Sequence, residues 1–112
     1  VLEPCFIYLR VSGKAQVKGD GFLRQFLSCR AYAEQNNLKI VKIFREKGVS
    51  GTKELEDRPA LTALFSAFEE DGVKVLVIEK LDRMARDLMV QETIVQDMKK
   101  NGYRLCSTCE PD

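Results

Sequence analysis

Residues 5–11, Cys-Phe-Ile-Tyr-Leu-Arg-Val, constrain the fold more than any other stretch of the chain. Cys5, Ile7, Leu9 and Val11 alternate with Phe6, Tyr8 and Arg10, and both sets are apolar until Arg10. Alternate residues of a strand face opposite sides, so this strand is apolar on both faces. Such a strand belongs inside a sheet covered on both sides, the situation of parallel sheets. Arg10 marks the place where burial gives way to solvent, and Ser12 falls just past the carboxyl end, before Gly13 releases the chain. Open α/β sheets bind ligands along that edge.

The remaining pattern supplies the partners this strand needs. After a polar passage over 13–21 that contains Gln16, Asp20 is placed to cap a helix. Phe22, Phe26, Cys29 and Ala33 recur there at helical spacing, flanked by Leu23 and Leu27, with Arg24, Gln25 and Arg30 off the stripe. A second strand is expected over 38–44, followed by Arg45-Glu46-Lys47 and a loop over 48–57 that holds Ser50. Asp57-Arg58-Pro59 reads as a helix start, a capping carboxylate with proline in the first turn. Leu61, Leu64, Phe65 and Phe68 give that helix an apolar stripe, and Glu69-Glu70-Asp71-Gly72 ends it in a solvated turn. The β-branched run over 73–78 predicts a central parallel strand. A helix over about 87–101 follows, with Val90, Ile94 and Met98 on one face and Gly102 as its stop, then a fourth strand over 103–108.

Strand and helix alternate throughout, and right-handed crossovers then give a three-layer α/β/α domain with a mainly parallel sheet of four or more strands. With 112 residues, the chain makes one domain. No apolar run reaches the length of a membrane span and no signal-peptide layout opens the sequence, so a cytoplasmic protein is expected. The formal charge of +1 provides no global basic field, so any nucleic-acid contact has to come from local placement. Cys106-Ser107-Thr108-Cys109 has C-x-x-C spacing, but it closes a strand rather than opening a helix, and the chain has no histidine. Free, mostly buried thiols are expected at Cys5, Cys29, Cys106 and Cys109, with no metal site.

Parallel strands put all their carboxyl ends on one edge. Ser12 follows the first strand, Ser50 the second, and Asp82, Arg83 and Arg86 the third, while Arg58 opens the helix leaving the second loop. Arginines gathered around a serine suit a phosphate, because each guanidinium offers planar paired donors and stays charged at working pH. Phosphoryl transfer depends on positioning and on neutralising charge at the phosphate oxygens. Without histidine, a Ser-His-Asp acyl-transfer triad is excluded, and Asp82 or an arginine has to share the proton work. No G-x-x-x-x-G-K-[ST] loop is present, so a nucleotide cofactor is not expected.

Tyr8-Leu9-Arg10-Val11-Ser12, Gln16, Gln25, Gly48-Val49-Ser50-Gly51, Arg58-Pro59 and Leu81-Asp82-Arg83-Met84-Ala85-Arg86, in this order, resemble the catalytic domain of the serine recombinases, the resolvase and invertase family. The resemblance implies a resolvase-like fold and a bacterial, phage or mobile-element origin. It implies that Ser12 attacks a phosphodiester of double-stranded DNA and holds the cut strand as a phosphoserine, with neither metal nor ATP. Arg10, Arg58, Arg83 and Arg86 would bind and activate the phosphate, and Gln16, Gln25, Ser50 and Asp82 would support the site. It also implies self-association, as a dimer and as a tetramer when active, through a long helix beyond these residues, and a separate DNA-binding domain. Gly13 stands where the family commonly has threonine and Gly21 where it commonly has serine, departures that bear on loop geometry rather than on the phosphate ligands. Two other readings stand beside it. One is a non-catalytic relative that keeps the fold and binds phosphate or protein; the other is an unrelated α/β binding module whose arginines are surface charges.

Overall fold

The computed structural model describes residues 1–11, 21–47, 59–85 and 87–109. Among these residues four strands, β1 (Glu3–Val11), β2 (Leu38–Lys47), β3 (Val75–Ile78) and β4 (Arg104–Ser107), alternate with three helices, α1 (Gly21–Gln35), α2 (Pro59–Asp71) and α3 (Leu88–Lys100). A single 3₁₀ turn, Leu81–Arg83, lies between β3 and α3. The sheet runs in the order β2-β1-β3-β4, and every neighbouring pair is parallel. The chain therefore winds outward from β1 to β2, crosses back over β1 to β3, and winds outward again to β4.

β1 is central because it is apolar on both faces, and from Cys5 to Leu9 it is fully buried. Cys5, Ile7 and Leu9 pack with Val75, Val77 and Cys106 under Cys29 and Ala33 of α1. Phe6 and Tyr8 pack on the other side with Leu76, Ile78, Leu61, Leu64 and Phe68 of α2, and Ile94 and Met98 of α3. One helix thus covers one face and two helices the other. Phe68 stacks on Tyr103 at 4.4 Å and leans on Phe6 at 5.2 Å, so the α2 side of the core is built largely from rings.

The element ends follow from local chemistry. Asp87 caps α3 by accepting from the backbone N–H groups of Met89 (2.8 Å) and Val90 (3.4 Å). Gly102 (φ 82°) and Gly72 (φ 71°) follow the ends of α3 and α2 in the left-handed region that a glycine enters without steric cost. α2 is capped from a distance. Pro59 has no N–H to satisfy, and the next two backbone N–H groups, of Ala60 and Leu61, donate to the Glu46 carboxylate at 3.1 Å each. Asp57, the capping residue expected from sequence, lies outside the described residues.

Three expectations change in detail. β2 extends to Lys47 rather than ending near residue 44, because Glu46 remains buried and bonded at its far end. β3 and β4 span four residues each, shorter than the stretches 73–78 and 103–108 expected for them. Gln25, expected off the buried stripe of α1, is fully buried within it. The four cysteines are free, three of them buried and Cys109 exposed. Burial, reinforced by Cys106 and Glu3, pushes the Cys5 thiol up to about 11. Burial and then Glu79, Cys109 and Cys5 push the Cys29 thiol up to about 12. Burial thus keeps both thiols protonated near neutral pH, which makes them poor nucleophiles.

Candidate active site

The strand order reverses between β1 and β3, and the carboxyl ends of those two neighbours open the crevice in which doubly wound sheets place their ligands. Arg10 occupies the end of β1 in that crevice. Although charged, it is only 2% exposed. Its Nε donates to the Arg83 carbonyl at 2.8 Å and its Nη2 donates to the Asp82 carbonyl. A guanidinium so placed exchanges its water shell for main-chain dipoles, which makes burial of the charge tolerable. Arg10 also fastens the 3₁₀ turn after β3 to the end of β1.

Gln25 holds the main chain of the same residue. Its Oε1 accepts from the Arg10 N–H at 3.2 Å and its Nε2 donates to the Arg10 carbonyl at 2.9 Å. An amide satisfies both groups at once, which explains a polar side chain in the buried stripe of α1. Gln91 does similar work on α3, donating to the Ala85 carbonyl at 2.6 Å and anchoring the chain that leaves the turn.

Glu79, the first residue after β3, completes this layer at 2% exposure. Arg24 of α1 binds it with both terminal nitrogens, Nη1 to Oε2 and Nη2 to Oε1, the latter at 3.2 Å. Arg83, one turn further on, donates from Nη2 to Oε1 at 3.1 Å. Burial pushes the Glu79 carboxyl up, but its bonds to Arg24 and then Arg83 outweigh this and hold it below the ordinary carboxylate range. The carboxyl ends of β3 and β4 are tied together as well. The Glu79 carbonyl accepts from the Cys109 N–H (2.9 Å), Ser107 Oγ (3.1 Å) and Thr108 Oγ1 (3.3 Å). Among the described residues, Asp82 Oδ1 is buried and receives no hydrogen bond.

The rim thus brings together Arg10, Gln25, Asp82 and Arg83, which sequence reasoning named from three separate segments. Ser12, Gln16, Ser50, Arg58 and Arg86, named with them, lie outside the described residues. Glu79 and Arg24 were not among the expected site residues. The i, i+4 spacing of Glu79 and Arg83 was a local signal for one of these contacts, whereas the reach of Arg24 across from α1 had none. Among the described residues, the guanidiniums of Arg10, Arg24 and Arg83 and the carboxylates of Glu79 and Asp82 gather along this edge.

The family described as "Resolvase, N terminal domain" matches residues 5–112, the sheet apart from Glu3 and Pro4 and every residue of this rim. The chain belongs to that family. No curated protein sequence matches it. Solved structures do. The N-terminal catalytic domain of TP901-1 integrase is 28% identical, with a TM-score of 0.84 over 95% of this chain and 78% of that one. The C-terminal catalytic domain of ISC1926 TnpA, an IS607-like serine recombinase, is 27% identical, with a TM-score of 0.80 over 94% and 70%. A resolvase family site-specific recombinase from Streptococcus pneumoniae is 28% identical, with a TM-score of 0.78 over 95% and 72%. The α/β fold expected from the strand pattern is observed, and it is resolvase-like, as the resemblance implied.

Proposed function

We propose that this resolvase-family domain is the catalytic domain of a serine site-specific DNA recombinase and that Ser12 is its nucleophile. The observation that carries the reading is the junction at the switch point, where buried Arg10 joins the Asp82–Arg83 turn in a chain that matches the family over residues 5–112. Ser12 directly follows β1 in sequence, two residues after Arg10.

In this mechanism the Ser12 Oγ–P bond forms as one backbone P–O bond of the DNA breaks, which releases a deoxyribose hydroxyl. The proton lost by Ser12 balances the proton gained by that hydroxyl. The phosphoserine link conserves the energy of the broken ester, so attack by a hydroxyl of the exchanged strand reseals the DNA without ATP. Arg83, Arg58 and Arg86 neutralise the phosphate oxygens, and Arg10 aligns the turn that presents Arg83. Asp82, with a buried oxygen that receives no bond from the described residues, is suited to the proton work. Gln16 and Ser50 support the site, and Gln25 holds Arg10.

The partner is double-stranded DNA. Self-association into a dimer, and into a tetramer during exchange, is part of the same proposal, as are a dimerisation helix and a DNA-binding domain outside these residues. The solved neighbours are named as N-terminal and as C-terminal catalytic domains, so such domains occur on either side of their companion segments. Among the described residues no helix is long and apolar enough to cross a membrane.

The test mixes the full-length protein with supercoiled DNA carrying its native flanking sites and quenches with denaturant. A covalent protein–DNA adduct is expected from wild type and none from Ser12→Ala. An adduct that survives in Ser12→Ala moves the nucleophile elsewhere, with Ser50 next. No wild-type adduct, on DNA the protein binds, favours the non-catalytic reading.

A further inference from the structure

We propose that Glu79 is a positioning residue for Arg83, and that Arg24 is the counter-charge that lets a carboxylate do this without cancelling the positive rim. The inference rests on the recombinase reading above and adds two residues to it. A flexible arginine contributes to phosphate binding in proportion to how well its guanidinium is held before the phosphate arrives. Arg83 is anchored at both ends. Its carbonyl is held by Arg10, and its Nη2 by Glu79 Oε1.

Glu79 is itself immobilised. It is buried, its carbonyl is bonded from β4, and its two carboxylate oxygens are spanned by Arg24. A buried carboxylate facing Arg83 alone would offset the charge that the phosphate needs. Arg24 restores it. Oε1 takes Nη2 of both arginines while Oε2 takes Arg24 Nη1, so two cations share one anion and the cluster stays positive. Arg24 is half exposed and Arg83 only 15% exposed, which puts the counter-charge at the outer side and the oriented arginine further in. Helix α1 is thereby coupled to the turn that carries the phosphate-binding residues.

The experiment measures single-turnover adduct formation by the full-length protein on a synthetic duplex of its native site. Glu79→Gln is expected to slow cleavage about tenfold while DNA affinity stays within about twofold, with Glu79→Asp intermediate. A second duplex carries a methylphosphonate at the scissile position, which removes the charge that Arg83 neutralises. On that duplex the ratio of wild-type to Glu79→Gln rates is expected to fall towards one. A ratio equal on both duplexes would assign Glu79 a merely structural role and overturn the proposal, as would a Glu79→Gln protein that cleaves at the wild-type rate. Should Glu79→Gln fail to fold, Arg24→Gln, altered at a half-exposed side chain, carries the test. A drop of about threefold is expected at a temperature where wild type and variant are both fully folded, and the wild-type rate would overturn the idea. A wild-type protein without a Ser12-dependent adduct would instead sink the recombinase reading itself, so the two failures are told apart.

Discussion

Arg10 behaves less like a surface cation than like a bolt. A lysine there would keep the charge but present one ammonium in place of a planar fork, and one nitrogen does not satisfy the Asp82 and Arg83 carbonyls in the same geometry. Arg10→Lys is therefore expected to destabilise the domain by about 2 kcal/mol, through one buried carbonyl left without its donor. Urea unfolding followed by circular dichroism measures this, and an unchanged midpoint would show that the pin is dispensable. Gln25 belongs with it: the amide pairs with both main-chain groups of Arg10, so the residue at the end of β1 is held through its backbone and its side chain at once.

Among the elements, α2 depends most on another segment. Its first free N–H groups are answered by Glu46 of β2, which also accepts the Tyr8 hydroxyl at 3.2 Å, so one buried carboxylate joins the helix, its own strand and the central strand. A negative charge at a helix N-terminus also complements the helix dipole. Glu46→Gln keeps the shape but exchanges one of these acceptor oxygens for an NH₂ donor aimed at an N–H or a hydroxyl. A loss of roughly 2 kcal/mol is expected. Hydrogen exchange locates the effect: the amides of Ala60 and Leu61 should lose protection before those of α3, and uniform loss across the domain would argue against a local cap.

For the whole molecule, the cluster around Glu79 ties α1, β3, β4 and the 3₁₀ turn together, and it couples folding to pH. The folded carboxyl lies below its unfolded value, because the bonds from Arg24 and Arg83 outweigh burial. The stabilisation is therefore fully present above the unfolded value of about 4.3 and is lost as pH falls from there through the folded pKa. Glu79→Gln is expected to flatten the fall of stability with pH below about 4.3 relative to wild type. Denaturation midpoints measured across that range decide it, and parallel curves would mean that Glu79 does not carry the acid sensitivity.

Period-two apolarity in residues 5–11, the β-branched run before Glu79 and the helical stripes between them were enough to determine a parallel α/β/α domain, because burial on both faces leaves a strand few other homes. The ordered motifs from Tyr8 to Arg86 were enough to indicate the family and to place Arg10, Asp82 and Arg83 on one edge. Strand order was not legible, since nothing local says which side of β1 the next strand takes. Tertiary structure alone decided that β1 and β3 are neighbours, and hence that the Arg10 side chain reaches the carbonyls of a turn more than seventy residues away. The buried amide of Gln25, the distant cap from Glu46 and the Arg24–Glu79 pair were hidden for the same reason. Polar residues in a sequence read as exposed, and only packing reveals the partner that makes their burial favourable.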